Sequence, residues 1–329
     1  MSAFGYKCPT KDDKPVSLKY LNLAAAILHF LLAFVFIGYY ANLNNRYANQ
    51  PLQGIELSMR DHTLNLQIIN NGCSPTAVNC DTSGNTIRGN YVSSETSVTN
   101  IRTLQWILIS FFLITGGFHL FYFISEYKSG FNGLYQTSIA NANNYFRWIE
   151  YSITSTLMLY AIAMVSGVKD TNIYILLAFN NVAMIYMGQL VEEKVKDKEN
   201  PYAWLIPMFI SWALLISEWL VIIRTFTKRL GEVKTFIDNN TSPLITNIRI
   251  PSWIQFTIYI LAFFFICFGF ISIIGAVLGL TCEGNSYYGM IERTYIIASF
   301  VAKATLGIFM AYGLGQRQQA GTNNIPIVV

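Results

Sequence analysis

Charge is what this sequence has least of. Its 329 residues include 22 Lys or Arg and 18 Asp or Glu, so only 12% are charged. An ordinary soluble domain carries about 25%. The shortage excludes a disordered chain and an ordinary soluble enzyme. The net charge of +4 is too small to argue for a polyanionic partner, nucleic acid included. Cysteine is scarce too, and five in a chain this long make no disulfide framework. There is no glycine-rich phosphate loop, no metal-ligand spacing and no nucleophile triad. The sequence therefore points to neither an enzyme nor a metal protein. What it has in quantity is apolar surface: 53% of residues are hydrophobic and 15% aromatic, with a mean hydropathy of +0.38. That balance belongs to a polytopic membrane protein in a lipid bilayer.

A spanning helix needs about 20 mainly apolar residues. Seven stretches qualify: Tyr20–Tyr40, Ile101–Ser125, Tyr145–Gly167, Asn172–Val191, Tyr202–Arg224, Trp253–Leu280 and Tyr287–Gly315. The expected fold is all-α, a single seven-transmembrane helical bundle over residues 1–329. The first stretch is too long for a signal peptide, and no small-residue cleavage site follows it. The connection from about 41 to 100 is long and polar, and within it 54–59 and 65–70 read as short strands. Cys73 and Cys80 in that loop form a disulfide if it lies outside the cell, or remain two free thiols.

Lysines at 7, 11, 14 and 19, and again at 194, 196 and 198, place the N-terminus in the cytoplasm by the positive-inside rule. Seven spans then put the C-terminus outside. Arg224, Lys228, Arg229, Lys234 and Arg249 oppose this orientation, whereas overlapping glycosylation sequons at 239–242 support it.

The informative residues are those a membrane should reject. A lysine near the centre of a spanning helix costs about 2.5–3.5 kcal/mol on insertion scales. Lys303 is such a residue, set in the run 296–309. A desolvated lysine is a nucleophile towards carbonyls and can hold an aldehyde as a Schiff base. The alternative is a structural cation paired with a carboxylate. Glu150 in the third span is the natural partner in either case, unless Arg147, three residues earlier, takes it. Ser299 lies one turn before Lys303 on the same face. Ser152 and Ser155 are further candidates to hydrogen-bond around the pair. His29 and His119 sit within the first two spans, and Thr115 lies one turn before His119. They are either satisfied core residues or a proton relay. Glu218 interrupts the fifth span and faces either a cavity or the membrane boundary.

These residues, in this order, resemble the heliorhodopsins over all seven spans. Residues 147–153 look like the family's counterion segment. Asn180 to Gly188 look like its Asn-x-x-Met-x-x-x-Gly retinal-lining stretch, with Glu192 at the family's glutamate position. Residues 299–303 look like the retinal attachment motif, and His29 and His119 match the histidines of the first two helices. The resemblance implies all-trans retinal on Lys303, Glu150 as counterion, a cytoplasmic N-terminus and a homodimer. By position it implies that Thr115, Ser299, Asn181, Met184 and Gly188 line the chromophore or the region around its attachment. Among aromatic residues of the next two spans, Trp204, Phe209 and Phe268 are expected to pack on it.

Two departures from the family stand out. The first loop is longer than usual, and Glu218 replaces a common proline before the tryptophan. Ordinary microbial rhodopsins fit less well. They carry Asp where Ser299 stands, and Ala161 occupies the proton-donor place eleven residues after Glu150. The expected function is therefore photosensory, read by a cytoplasmic signalling partner, without outward pumping. The alternative is a light-gated proton or ion conductance using His29, His119, Glu192 and Glu218.

Overall fold

The computed structural model describes residues 18–46, 57–69, 86–99, 101–127, 133–197, 199–239, 252–282 and 287–322. Its elements run α1 (Lys19–Arg46), β1 (Leu57–Ile69), β2 (Thr86–Thr99), α2 (Ile101–Tyr127), α3 (Leu134–Ala140), α4 (Tyr145–Val165), α5 (Thr171–Lys194), α6 (Leu205–Asp238), α7 (Ser252–Thr281) and α8 (Tyr288–Thr322). All of these helices except the short α3 are long and apolar enough to cross a membrane, which makes seven candidate spans. The seven apolar runs of the sequence are these seven helices. The chain is a multi-pass membrane protein.

Local chemistry sets several helix ends. The Asn144 side chain accepts from the Arg147 amide at 3.3 Å and caps α4. The Asp170 carboxylate accepts from the Asn172 amide at 2.8 Å and caps α5. Gly167 ends α4 at φ 84°, a left-handed conformation that glycine adopts without a Cβ penalty. The loop between the first two spans holds one antiparallel hairpin. Leu57 pairs with Thr99 and Ile69 with Thr86, with one register irregularity at Leu57 and Ser58. The strands are longer than the two short segments read from the sequence. Cys73 and Cys80 lie outside the described residues. Of the described cysteines, Cys267 is free and Cys282 is disulfide-bonded.

The spans close into a ring. Neighbours run α1–α2–α4–α5–α6–α7–α8 and back to α1. The burial pattern is that of a lipid-facing bundle. Large apolar side chains such as Phe34, Leu176, Phe179, Ile206 and Phe209 are exposed on the outside, whereas Asn22, His29, Arg147, Glu150, Glu218, Glu292 and Lys303 are buried. Hydrocarbon tails are as apolar as leucine, so outward Phe and Ile cost nothing there, and polar groups must find partners within the bundle. Leu108, Phe112, Leu159, Ile162, Ile222, Leu261, Leu306 and Met310 pack one large apolar core.

Candidate functional site

Lys303 is 2% exposed. Its Nζ donates to Glu150 Oε1 at 3.0 Å and to Ser299 Oγ at 2.9 Å. The i, i+4 spacing on α8 brings Ser299 under the ammonium. The Tyr151 ring centroid lies 5.4 Å from Nζ, within the range of a cation–π contact. Glu150 is thus the partner of Lys303 and not of Arg147. Ser152 and Ser155 stand aside: their hydroxyls donate to their own helix, at Trp148 O and Tyr151 O.

Lys303 opens into a cavity walled by α4, α5, α6, α7 and α8. Its lining is chiefly apolar. Of the residues expected around a chromophore, Met184, Gly188, Phe268, Ser299 and Lys303 line this cavity. Ligand pockets are mostly apolar in this way, with a few placed polar groups. A retinal-like aldehyde fits this chemistry: one buried amine, one carboxylate beside it, and an apolar chamber beyond.

Other expected residues fall elsewhere. Thr115 is fully buried on α2 but is not among the residues that line the cavity. Asn181 stands one layer back, its Nδ2 donating to Ser155 Oγ at 2.7 Å and Thr156 Oγ1 at 2.8 Å. Phe209 is 72% exposed and points away from the chamber. Trp204 packs on Val191, Val195 and Met208 instead. Tyr151, Trp212, Phe265 and Tyr295 line the chamber without having been singled out from the sequence. Aromatics are so common in these spans that no spacing separates the inward ones.

Two polar clusters flank the chamber. In the first, the Tyr122 hydroxyl donates to Glu150 Oε2 at 3.5 Å. The Tyr122 ring meets His119 edge-on at 5.6 Å, and His119 stacks on His29 at 5.6 Å. His119 Nδ1 donates to Asn22 Oδ1 at 2.9 Å, and His29 Nδ1 donates to Ala25 O at 2.7 Å. A carbonyl oxygen only accepts, so in each ring Nδ1 carries the proton and Nε2 holds the free lone pair of the neutral form. His29 Nε2 is buried without a hydrogen-bond partner among the described residues.

The second cluster lies at the start of α4 and α8. The buried Arg147 forms ion pairs with the half-buried Glu192 on α5 and the buried Glu292 on α8. Trp148 Nε1 and the Tyr288 hydroxyl each donate to Glu192 at 2.9 Å, and Asn144 Nδ2 donates to Glu292 at 2.7 Å. Glu192 is thus held in an ion-pair cluster, and Glu292 lies eleven residues before Lys303 on α8. At about 1.5 Å per residue that places Glu292 about 16 Å along the helix from the lysine. Glu292 was not apparent in the sequence, because it adjoins an exposed Arg293 in the first turns of a helix. Glu218 is buried on α6 and accepts from Asn180 Nδ2 at 3.2 Å. It faces the bundle interior. Among the described residues no group of three or more His, Cys, Asp or Glu is placed to hold a metal ion.

No curated protein matches the chain. Residues 65–313 match the family model described as Heliorhodopsin. The match spans well over half of the sequence and takes in Glu150, Lys303 and the whole lining of the chamber. The chain therefore belongs to the heliorhodopsin family, whose members are retinal-binding, photoreceptor-like membrane proteins.

Proposed function

We propose that this chain is a photosensory membrane protein that carries all-trans retinal on Lys303 as a Schiff base, with Glu150 as counterion. The observation that carries this reading is the buried Lys303–Glu150 pair, 3.0 Å apart, at the wall of an apolar chamber. The amine nitrogen takes the place of the aldehyde oxygen, which leaves as water. Bound retinal supplies absorption of visible light and a bond that isomerises.

The protein's own residues do the rest. Glu150 balances the positive charge left on the linked nitrogen, and Ser299 Oγ accepts a hydrogen bond from it. Tyr122 ties Glu150 to the His119–His29 pair, and the unpartnered His29 Nε2 can take up a proton inside the bundle. Ala161, three turns beyond Glu150, is fully buried and carries no carboxylate. This arrangement supports local proton movement without outward pumping. Trp148 walls the chamber and also donates to Glu192, so a change in the chamber reaches the Arg147 cluster directly. With the N-terminus in the cytoplasm, that cluster lies at the cytoplasmic end, where a signalling partner or a homodimer contact would read it.

The test is an absorption spectrum of the purified protein with and without added all-trans retinal, beside Lys303→Ala. A visible band that disappears in the variant is expected. No band in either protein would sink the reading.

Glu218 favours a second reading, a light-gated proton or ion conductance. It is 1% exposed, and its Oε1 has no hydrogen-bond partner among the described residues. Photocurrent recording separates the two. A current abolished by Glu218→Gln would favour conductance, and no current at any voltage would exclude it.

A further inference from the structure

Two tryptophans wall the chamber, and each lies in the notch of a glycine on the neighbouring helix. A Cβ at Gly188 would fall 2.8 Å from the Trp148 ring, and a Cβ at Gly269 would fall 2.7 Å from Cζ2 of Trp212. Carbon atoms rest at about 3.5–4.0 Å, so either indole would have to shift by about 1 Å to admit even a methyl group.

The two walls are held differently. Trp148 is fixed by its hydrogen bond to Glu192 at 2.9 Å and by Arg147 stacked 4.7 Å from its ring. Trp212 Nε1 is buried without a hydrogen-bond partner among the described residues. Its neighbours are apolar: it packs against Val191, Val195, Met208 and Ala276, and Phe270 meets it edge-on at 5.4 Å. Shape alone therefore sets where the Trp212 indole lies, and the seat that shapes it is Gly269.

The place of this pair in the chamber matters. Lys303 and Ser299 are on α8, which packs on α7 and α1. Trp212 is on α6, which packs on α5 and α7. Lys303 and Trp212 line one chamber from helices with different neighbours, so a chain anchored at Lys303 and extended across the chamber runs towards Trp212. In a retinoid the end remote from the aldehyde is a substituted six-membered ring.

We infer that Gly269 determines chromophore specificity, by seating Trp212 so that the far end of the chamber admits a ring-bearing polyene aldehyde. This rests on the retinal reading above. Gly269→Ala pushes the indole towards the chamber and shortens it. An acyclic polyene aldehyde with the same attachment end should still fit.

The test uses purified apoprotein with two readouts. The first is the visible band formed with all-trans retinal or with an acyclic analogue of the same polyene. The second is the rise in melting temperature on adding retinol, which occupies the chamber but cannot attach to the lysine. Gly269→Ala is expected to form at least about tenfold less retinal pigment, to lose the stabilisation by retinol, and to keep the acyclic pigment. Gly269→Ala combined with Trp212→Phe should recover retinal, which separates a steric effect from misfolding. Trp212→Phe alone should take up a retinal analogue with an enlarged ring that the wild type refuses. Wild-type behaviour of Gly269→Ala in both readouts, or failure of the double variant to recover retinal, would overturn the inference while leaving the retinal reading standing. A wild type that shows neither band nor stabilisation would overturn both.

Discussion

The Lys303–Glu150 pair is the residue on which the functional reading turns. Both side chains are almost fully buried, and a buried cation left without its counter-charge is costly, about 3–5 kcal/mol when one partner is removed. Glu150→Gln keeps the size and removes the charge. The retinal-loaded variant is then expected to lose its visible band at neutral pH, because the linked nitrogen sheds its proton. The band should return on acidification, which restores the charged form. A variant that keeps the wild-type band at neutral pH would transfer the counterion role to another group. Lys303 and Glu150 were legible in the sequence because ionisable residues stand out in apolar runs. Tyr122 was not, since a tyrosine near a helix end is ordinary in a membrane. Only the fold shows that its hydroxyl reaches the carboxylate.

At the scale of elements, the Arg147 cluster joins α4, α5 and α8. One guanidinium serves two carboxylates, the half-buried Glu192 and the buried Glu292. Arg147→Ala leaves the buried Glu292 without its cation, and a loss of about 3–5 kcal/mol is expected. Glu292→Gln retains the Arg147–Glu192 pair and keeps an amide beside Asn144, so its cost should be within about 1 kcal/mol. Thermal unfolding in detergent checks the order of the two variants, and equal melting temperatures would show that the cluster does not hold the helices together. Combining Arg147→Met with Glu192→Gln and Glu292→Gln should recover most of the loss. The helices themselves were legible as apolar runs, and the caps at Asn144 and Asp170 stand just before two of them. The length of the hairpin and the existence of α3 were not. Polar segments carry little periodicity, and their pairing depends on neighbours distant in the chain.

For the whole molecule, the open matter is which end faces the cytoplasm. Charge gives a divided answer, since the lysines at 194, 196 and 198 and those of the N-terminal tail oppose the basic residues from Arg224 to Arg249. The length of α6 offers a test. Its 34 residues span about 51 Å at about 1.5 Å each, whereas the hydrocarbon core is about 30 Å thick. About 20 Å of α6 therefore stands clear of the core. Leu205 begins the span close to the 195–204 loop, so the surplus falls at the other end, where Lys228 and Arg229 meet Glu232 on the helix surface. That extension carries Asn239, the first residue of the sequons, away from the bilayer, within reach of the glycosylation machinery if this end is outside. Expression in eukaryotic cells is expected to give a glycosylated protein whose mass falls on glycosidase treatment. Replacing both Asn239 and Asn240 by Gln should abolish the shift. An epitope inserted after Glu199 should be reached by antibody only after the cells are permeabilised. An epitope at Glu199 accessible on intact cells, with no glycan at Asn239 or Asn240, would reverse the orientation. It would also move the Arg147 cluster to the outside, away from any cytoplasmic partner.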